Sequence, residues 1–139
     1  EKFPIINITF NKNINNNSWD EFINNWNSCD LRKKPYTFIF DLSGLGIPPF
    51  SYAWKMTFFI ENLKKRKQKY NNVYLLKSII ICNNTYQRKL LEWVFYIQYP
   101  VAPVYIVNNS NEANELYESL LISEHFYKSN ISAFFPKTY

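Results

Sequence analysis

The sequence predicts a single α/β domain, a parallel or mixed sheet of about four strands with four or five helices packed on it. Three observations carry that reading. Apolar runs of strand length alternate along the chain with segments of helical period. The later runs end in Asn-Asn-Ser or Asn-Asn-Thr, residues that satisfy the free amides of a helix start. The run YTFIFDL at Tyr36–Leu42 is apolar without alternation, as suits a strand buried on both faces. A chain of 139 residues has room for one domain with a real core, here residues 1–139, ending in a C-terminal aromatic tail at 122–139.

Each element follows from local chemistry. Pro4–Phe10, PIINITF, has the β-branched and aromatic composition of a strand. Ser18 predicts a helix N-cap, with Glu21 three residues on to complete a capping box, and Trp19, Phe22, Ile23 and Trp26 follow at helical spacing to about Asn27. Leu31–Pro35 is a basic connector in which the proline stops any helix. Tyr36–Leu42 is the second strand and is expected inside the sheet rather than at its edge. A second helix is predicted from Pro49–Ser51 to about Lys69, with Tyr52, Met56, Phe59, Ile60 and Leu63 as its apolar stripe. Leu75–Cys82 is a third strand, and Asn83-Asn84-Thr85 caps a helix carried by Leu90, Leu91, Val94, Phe95 and Ile97. Pro100 and Pro103 bracket the connector to a short strand, Val104–Val107. Asn108-Asn109-Ser110 then caps a helix carried by Ala113, Leu116, Leu120 and Leu121. The tail, which holds His125, shows no period.

Composition narrows the function classes. Hydrophobic residues make up 47% of the chain, too many for disorder. The net charge of +5 favours acidic partners only weakly. Cys29 and Cys82 form no metal or redox spacing. Cys82, inside SIIIC, reads as a small buried hydrophobe and Cys29 as a helix-end residue, so a reducing, intracellular setting of unspecified compartment is expected. No apolar run is long enough to span a bilayer, and the start carries no signal-peptide pattern. The chain opens on Glu1 rather than Met, which leaves room for an upstream segment.

Both glycines of the chain fall in one loop, DLSGLGIPPF at 41–50, directly after the second strand. In open α/β sheets, ligands and partners meet the carboxyl ends of the strands. Asp41–Ser51, Asn83–Thr85 and Asn108–Ser110 are all predicted there. One reading of the loop is conformational: Gly44 and Gly46 permit positive φ, at least one is expected to use it, and Pro48-Pro49 stiffen the helix entry. The other is a docking surface made by Asp41, Ser43, Gly44, Gly46 and Ser51, where small side chains let a partner approach the backbone. No chemistry competes with it. GLG is too short for a dinucleotide loop, and no phosphate-loop lysine follows. A single histidine supports no Ser/His/Asp arrangement, and Asp41 is the one acid in a plausible cleft, with neighbouring loop amides as its structural partners. No catalytic residue, cofactor or metal site is therefore predicted, and the chain is expected not to be an enzyme.

The order of elements, with FIFDLSGLG, then a loop and long helix, then SIIICNNTYQRKLLEWV and APVYIVNN, resembles the STAS fold of anti-sigma-factor antagonists and sulfate-transporter tails. The resemblance covers roughly Pro4–Leu121. It implies a regulatory protein-interaction module with a protein partner, within a larger assembly, and it makes Ser51 a candidate phosphorylation site. The related CRAL-TRIO domain, whose strand end is similar to IIICNNT, implies the alternative of a small apolar-ligand or lipid-binding domain.

Two further features bear on partners. Lys64, Lys65, Arg66, Lys67 and Lys69 form a basic run at the end of the second helix. Such cations suit a helix C-terminus, and an anionic partner such as RNA or a lipid headgroup is the sharper reading. Trp54 and Phe58 lie four residues apart and off the predicted stripe, so they are expected to face another surface.

Overall fold

The computed structural model describes residues 4–10, 13–122 and 131–136. Nine elements follow one another: β1 (Ile5–Thr9), α1 (Asn16–Leu31), β2 (Tyr36–Asp41), α2 (Phe50–Tyr70), β3 (Leu75–Ile81), α3 (Thr85–Ile97), β4 (Val104–Val107), α4 (Ser110–Ile122) and β5 (Ser132–Phe134). The chain is α/β, and its strands form one sheet in the order β1-β2-β3-β4-β5. The first four are parallel, and β5 runs antiparallel to β4. The sheet has five strands, not the four expected. The extra one comes from the aromatic tail, where three residues are too few to show a period. The predicted second strand, β2, pairs with β1 on one side and β3 on the other, as its unbroken apolar run requires.

The sequential strand order explains the layers. Right-handed crossovers between strands added always on the same side keep their helices on one face of the sheet. Accordingly Trp26 of α1, Ala53, Ile60 and Leu63 of α2, and Val94 and Phe95 of α3 pack with Phe38, Phe40, Ile80, Val104 and Ile106. The fourth helix leads to an antiparallel strand and lies on the opposite face. There Ala113, Leu116, Tyr117 and Leu120 pack with Ile79, Ile81, Tyr105 and Val107. Strand periodicity divides the two sets: Ile80 faces one layer, and Ile79 and Ile81 the other.

Helix starts show where sequence patterns mislead by a few residues. The N-cap of α1 is Asn15, and Ser18 is its N3 partner instead of the cap. Asn15 Oδ1 accepts from Ser18 N–H at 2.9 Å, and Asn15 N–H donates to Ser18 Oγ at 2.9 Å, a reciprocal box without Glu21. The helix also runs past Asn27 to Leu31. Asn and Ser offer nearly the same acceptor, so an Asn-rich turn hides which residue caps. In α2 the deepest positions are Ala53, Thr57, Ile60 and Leu63, while Tyr52, Met56 and Phe59 are half-buried at the flank. The two later caps fall as predicted. Asn84 Oδ1 accepts from Tyr86 and Gln87 N–H, and Asn109 Oδ1 from Glu112 N–H.

Candidate functional site

The glycine loop leaves the carboxyl end of β2, and its backbone is fixed from three sides. Leu42 N–H continues the sheet ladder to Ile81 O at 3.0 Å. Asp41 Oδ1 accepts from Ser43 N–H at 2.9 Å and Ser43 Oγ–H at 2.6 Å, which closes the first turn. From α3 the buried Gln87 donates Nε2–H to Leu45 O at 2.6 Å and Gly46 O at 3.1 Å. Gln87 thus supplies the partners that loop carbonyls in a half-buried position need. No sequence pattern pointed to it.

Neither glycine adopts positive φ, so the expected left-handed corner is absent. At 46 the neighbour is close instead: a Cβ there would meet Asn13 Oδ1, the end of an exposed side chain. Ser51 does lie in the first turn of α2, exposed, but it caps nothing; the N-cap is Pro49, which makes no side-chain cap bond. Asp41, Ser43, Gly44, Gly46 and Ser51 therefore sit on one loop and its helix entry. Ser43 and Asp41 are engaged with each other, while Ser51 is open to solvent.

Beside this loop stands an aromatic face. Phe50, Trp54 and Phe58 recur every four residues on α2 and are 48%, 45% and 59% exposed. Trp54 and Phe58 stack with ring centres 6.2 Å apart. Helix α3 packs against α2 and brings Trp93 into the group, 4.7 Å from Phe50 and 5.1 Å from Trp54. Ile97, one turn beyond Trp93, is exposed as well. The expectation that Trp54 and Phe58 leave the buried stripe is met, and the structure adds Phe50 and Trp93 to them. The periodicity of Phe50 was available in the sequence; the contribution of α3 was not.

The basic run does not gather into one patch. Lys64 hydrogen-bonds Gln98, and Lys65 pairs with Glu61 at 3.2 Å. Arg66 reaches across to Asp30 at 3.3 Å and Asn27 at 3.1 Å. Lys67 contacts Val101 O at 3.4 Å, and Lys69 lies over its neighbour Tyr70. Successive residues of a helix point about 100° apart, so a run in sequence is dispersed in space. The Arg66 contact marks a structural hub that the sequence did not announce. Asp30, 4% exposed, also accepts from Tyr36 OH at 2.7 Å and Tyr74 N–H at 3.0 Å. Burial, then this bond to Asp30, pushes the Tyr36 phenol well above its ordinary pKa.

Both cysteines are free thiols, Cys82 buried and Cys29 partly so, and burial raises the pKa of each. Among the described residues no three His, Cys, Asp or Glu side chains gather as a metal site; His125 lies outside them. No helix among the described residues is long and apolar enough to cross a membrane.

Below the loop, between the sheet and α1–α3, lies an apolar cavity of about 150 Å³. Leu42, Leu45 and Pro48 of the loop line it, together with Phe22, Trp26, Phe40 and Met56 among others. The glycine loop thus borders both the cavity and the aromatic face. Comparison of the chain with family models, curated proteins and solved structures finds no match.

Proposed function

We propose that this chain is a non-catalytic, STAS-like interaction domain that docks a protein partner on the face where α2 leaves the glycine loop. The observation that carries this reading is the contiguous cluster of exposed Phe50, Trp54 and Phe58 with the half-buried Trp93. Contiguous exposed apolar side chains mark interaction sites, and Trp is prominent among the few residues that supply most binding energy. The rings are held by each other and by two packed helices, so little ordering cost accompanies docking. The partner would present an apolar anchor to the rings. An acidic rim on it would be drawn by the chain's charge of +5. Ser51 stands at the edge of this face, where a phosphate would add negative charge beside the docking rings without disturbing the core.

The test uses the chain as bait in lysate from its native source, with Trp54→Ser/Phe58→Ser as the matched control. A partner retained by the wild type and lost by a control of equal melting temperature supports the reading. Equal capture by both baits, or binding to anionic lipid vesicles in place of protein, overturns it.

A second reading, a binding domain for a small apolar ligand, is favoured by one observation, the cavity beneath the loop. Phe22, Trp26, Phe40 and Met56 would line the ligand, and a rise in melting temperature with small aromatic probes would support it.

A further inference from the structure

The cavity is long rather than round. On α2 it is lined by Tyr52, Ala53, Met56, Ile60 and Leu63, a stretch of roughly 16 Å at the rise of an α-helix. Its two ends differ. At the end near the glycine loop Trp19 packs on Tyr52 with ring centres 5.8 Å apart, and both line the cavity with Ile14 and Leu45. All four are half-buried. At the other end Leu63, Leu75, Val101 and Ala102 line it, and all four are buried. A guest would therefore enter beside the loop, with its leading end toward Leu63.

Donors gather at the half-buried end. Tyr52 OH and Lys55 Nζ both donate to Asn16 Oδ1, at 3.0 and 3.1 Å. Two donors thus converge on one oxygen position, beside a ring that lines the cavity. The Lys55 ammonium also lies over that ring, 4.7 Å from its centre. Among the described residues no carboxylate pairs with Lys55. Asn16 is exposed and free to turn away, which would leave the position to another oxygen. Deeper in, the lining is almost all apolar, so a charge there would lose its hydration without compensation. An apolar volume of about 150 Å³ holds roughly six carbons.

We infer that the cavity takes the alkyl chain of a medium-chain carboxylate, whose carboxylate stays at the mouth on Lys55 and Tyr52. The elongated lining favours a chain, because carbons in line follow a narrow space that a ring cannot. An ionised carboxylate only accepts, and Lys55 only donates. One carboxylate oxygen in place of the Asn16 amide oxygen would meet both donors. Opposite charge adds to the fit at Lys55, and the apolar interior keeps the carboxylate outside. This deepens the second reading above, and it rests on that reading.

The test pairs octanoate with octylammonium, the same chain with the opposite charge. Binding of each to the full chain is measured by calorimetry at neutral pH and low salt, below the micellar range of either. Lys55→Gln is the variant; Lys55 is exposed, so the change leaves the core alone. The expected result is that wild type prefers octanoate by about fivefold, the scale of an exposed ion pair, and that the preference shrinks as salt is added. Lys55→Gln should narrow it to within about twofold while both chains still bind. Equal binding of the two chains by wild type overturns the inference and leaves the apolar-ligand reading standing. A preference that survives in Lys55→Gln does the same, because the carboxylate would then be read elsewhere. Binding of neither chain overturns the inference alone if small aromatic probes still raise the melting temperature, and overturns both readings if they do not.

Discussion

The two faces of the sheet are packed by different means. Toward α4 the contacts are compact and largely aliphatic: Ile79, Ile81 and Val107 meet Ala113, Leu116 and Leu120. Toward α1–α3 they are dominated by rings, with Trp26 within 6 Å of Phe38, Phe40, Phe59 and Phe22. The cavity belongs wholly to the second kind; no α4 residue lines it. Branched aliphatic side chains adjust their rotamers to interdigitate, whereas rigid rings set edge-to-face leave gaps where their planes diverge. Three crossing helices must also each find a seat on one side of the sheet, while α4 has the other to itself. This domain therefore keeps its aliphatic packing on one face and its unused space on the other. The unused space lies under the loop and next to the exposed rings.

The largest effects should come from the compact face. Leu116 is fully buried there, and Leu116→Ala should cost about 2–5 kcal/mol, because its tightly packed neighbours can collapse only in part. Leu91 lines the cavity and is half-buried, so Leu91→Ala should cost clearly less. Chemical denaturation of the two variants checks the contrast. Equal losses would mean that the ring-packed layer is as full as the other.

One substitution made in both layers sharpens the comparison. Ala113 on α4 is 1% exposed and Ala53 on α2 is 8% exposed at the cavity wall. Ala113→Leu should destabilise by about 1–3 kcal/mol through overpacking. Ala53→Leu should be neutral or stabilising by up to about 2 kcal/mol, because the cavity can take the added methyl groups. Ala53→Leu should also abolish any rise in melting temperature with small aromatic probes if that cavity is the ligand site. Opposite signs in melting temperature are the expected outcome; the same sign in both would deny the difference between the faces.

How much of this was legible in the sequence depends on the range of the interactions. Strand runs, the Asn84 and Asn109 caps, and the departure of Trp54 and Phe58 from the stripe are local patterns, and all could be read. The features that build the loop and core are not local. Gln87 reaches back more than forty residues to Leu45 and Gly46, and Asp30 collects groups from β2, α2 and the approach to β3. Nothing in a glutamine after a capping asparagine, or in an aspartate near a helix end, announces such partners. The basic run shows the converse: residues adjacent in sequence are spread around a helix and engage different neighbours. Strand β5 is too short to carry a pattern and exists because β4 offers it an edge.

Smaller effects test the surface that joins the two faces' story to function. Ser51→Asp places a carboxylate in the first turn of α2, where the helix dipole favours it by about 0.3–1 kcal/mol. Thermal unfolding should therefore show no loss of stability. Affinity for a partner docked on Phe50 and Trp54 should change by severalfold, read by titration against that partner. A stability loss would mean that Ser51 holds the loop, and unchanged affinity would place the docking surface elsewhere.

The smallest expected effects are at the glycines. Had either adopted positive φ, a β-carbon would have been costly, and the loop would have needed glycine to turn. With φ in the ordinary range at both, alanine at 44 only reduces the freedom of the unfolded chain, so Gly44→Ala should be neutral or stabilising by about 0.4–1 kcal/mol. At 46 the new Cβ meets Asn13 Oδ1, the far end of an exposed and rotatable side chain, not backbone. Asn13 can swing aside, so Gly46→Ala should lie within about 1 kcal/mol of wild type. Combining Gly46→Ala with Asn13→Ala separates the sources of any cost. If the clash is the cause, the double variant recovers what the single variant loses. If the loss persists, the carbonyls that Gln87 holds have moved, and the loop's shape depends on glycine after all.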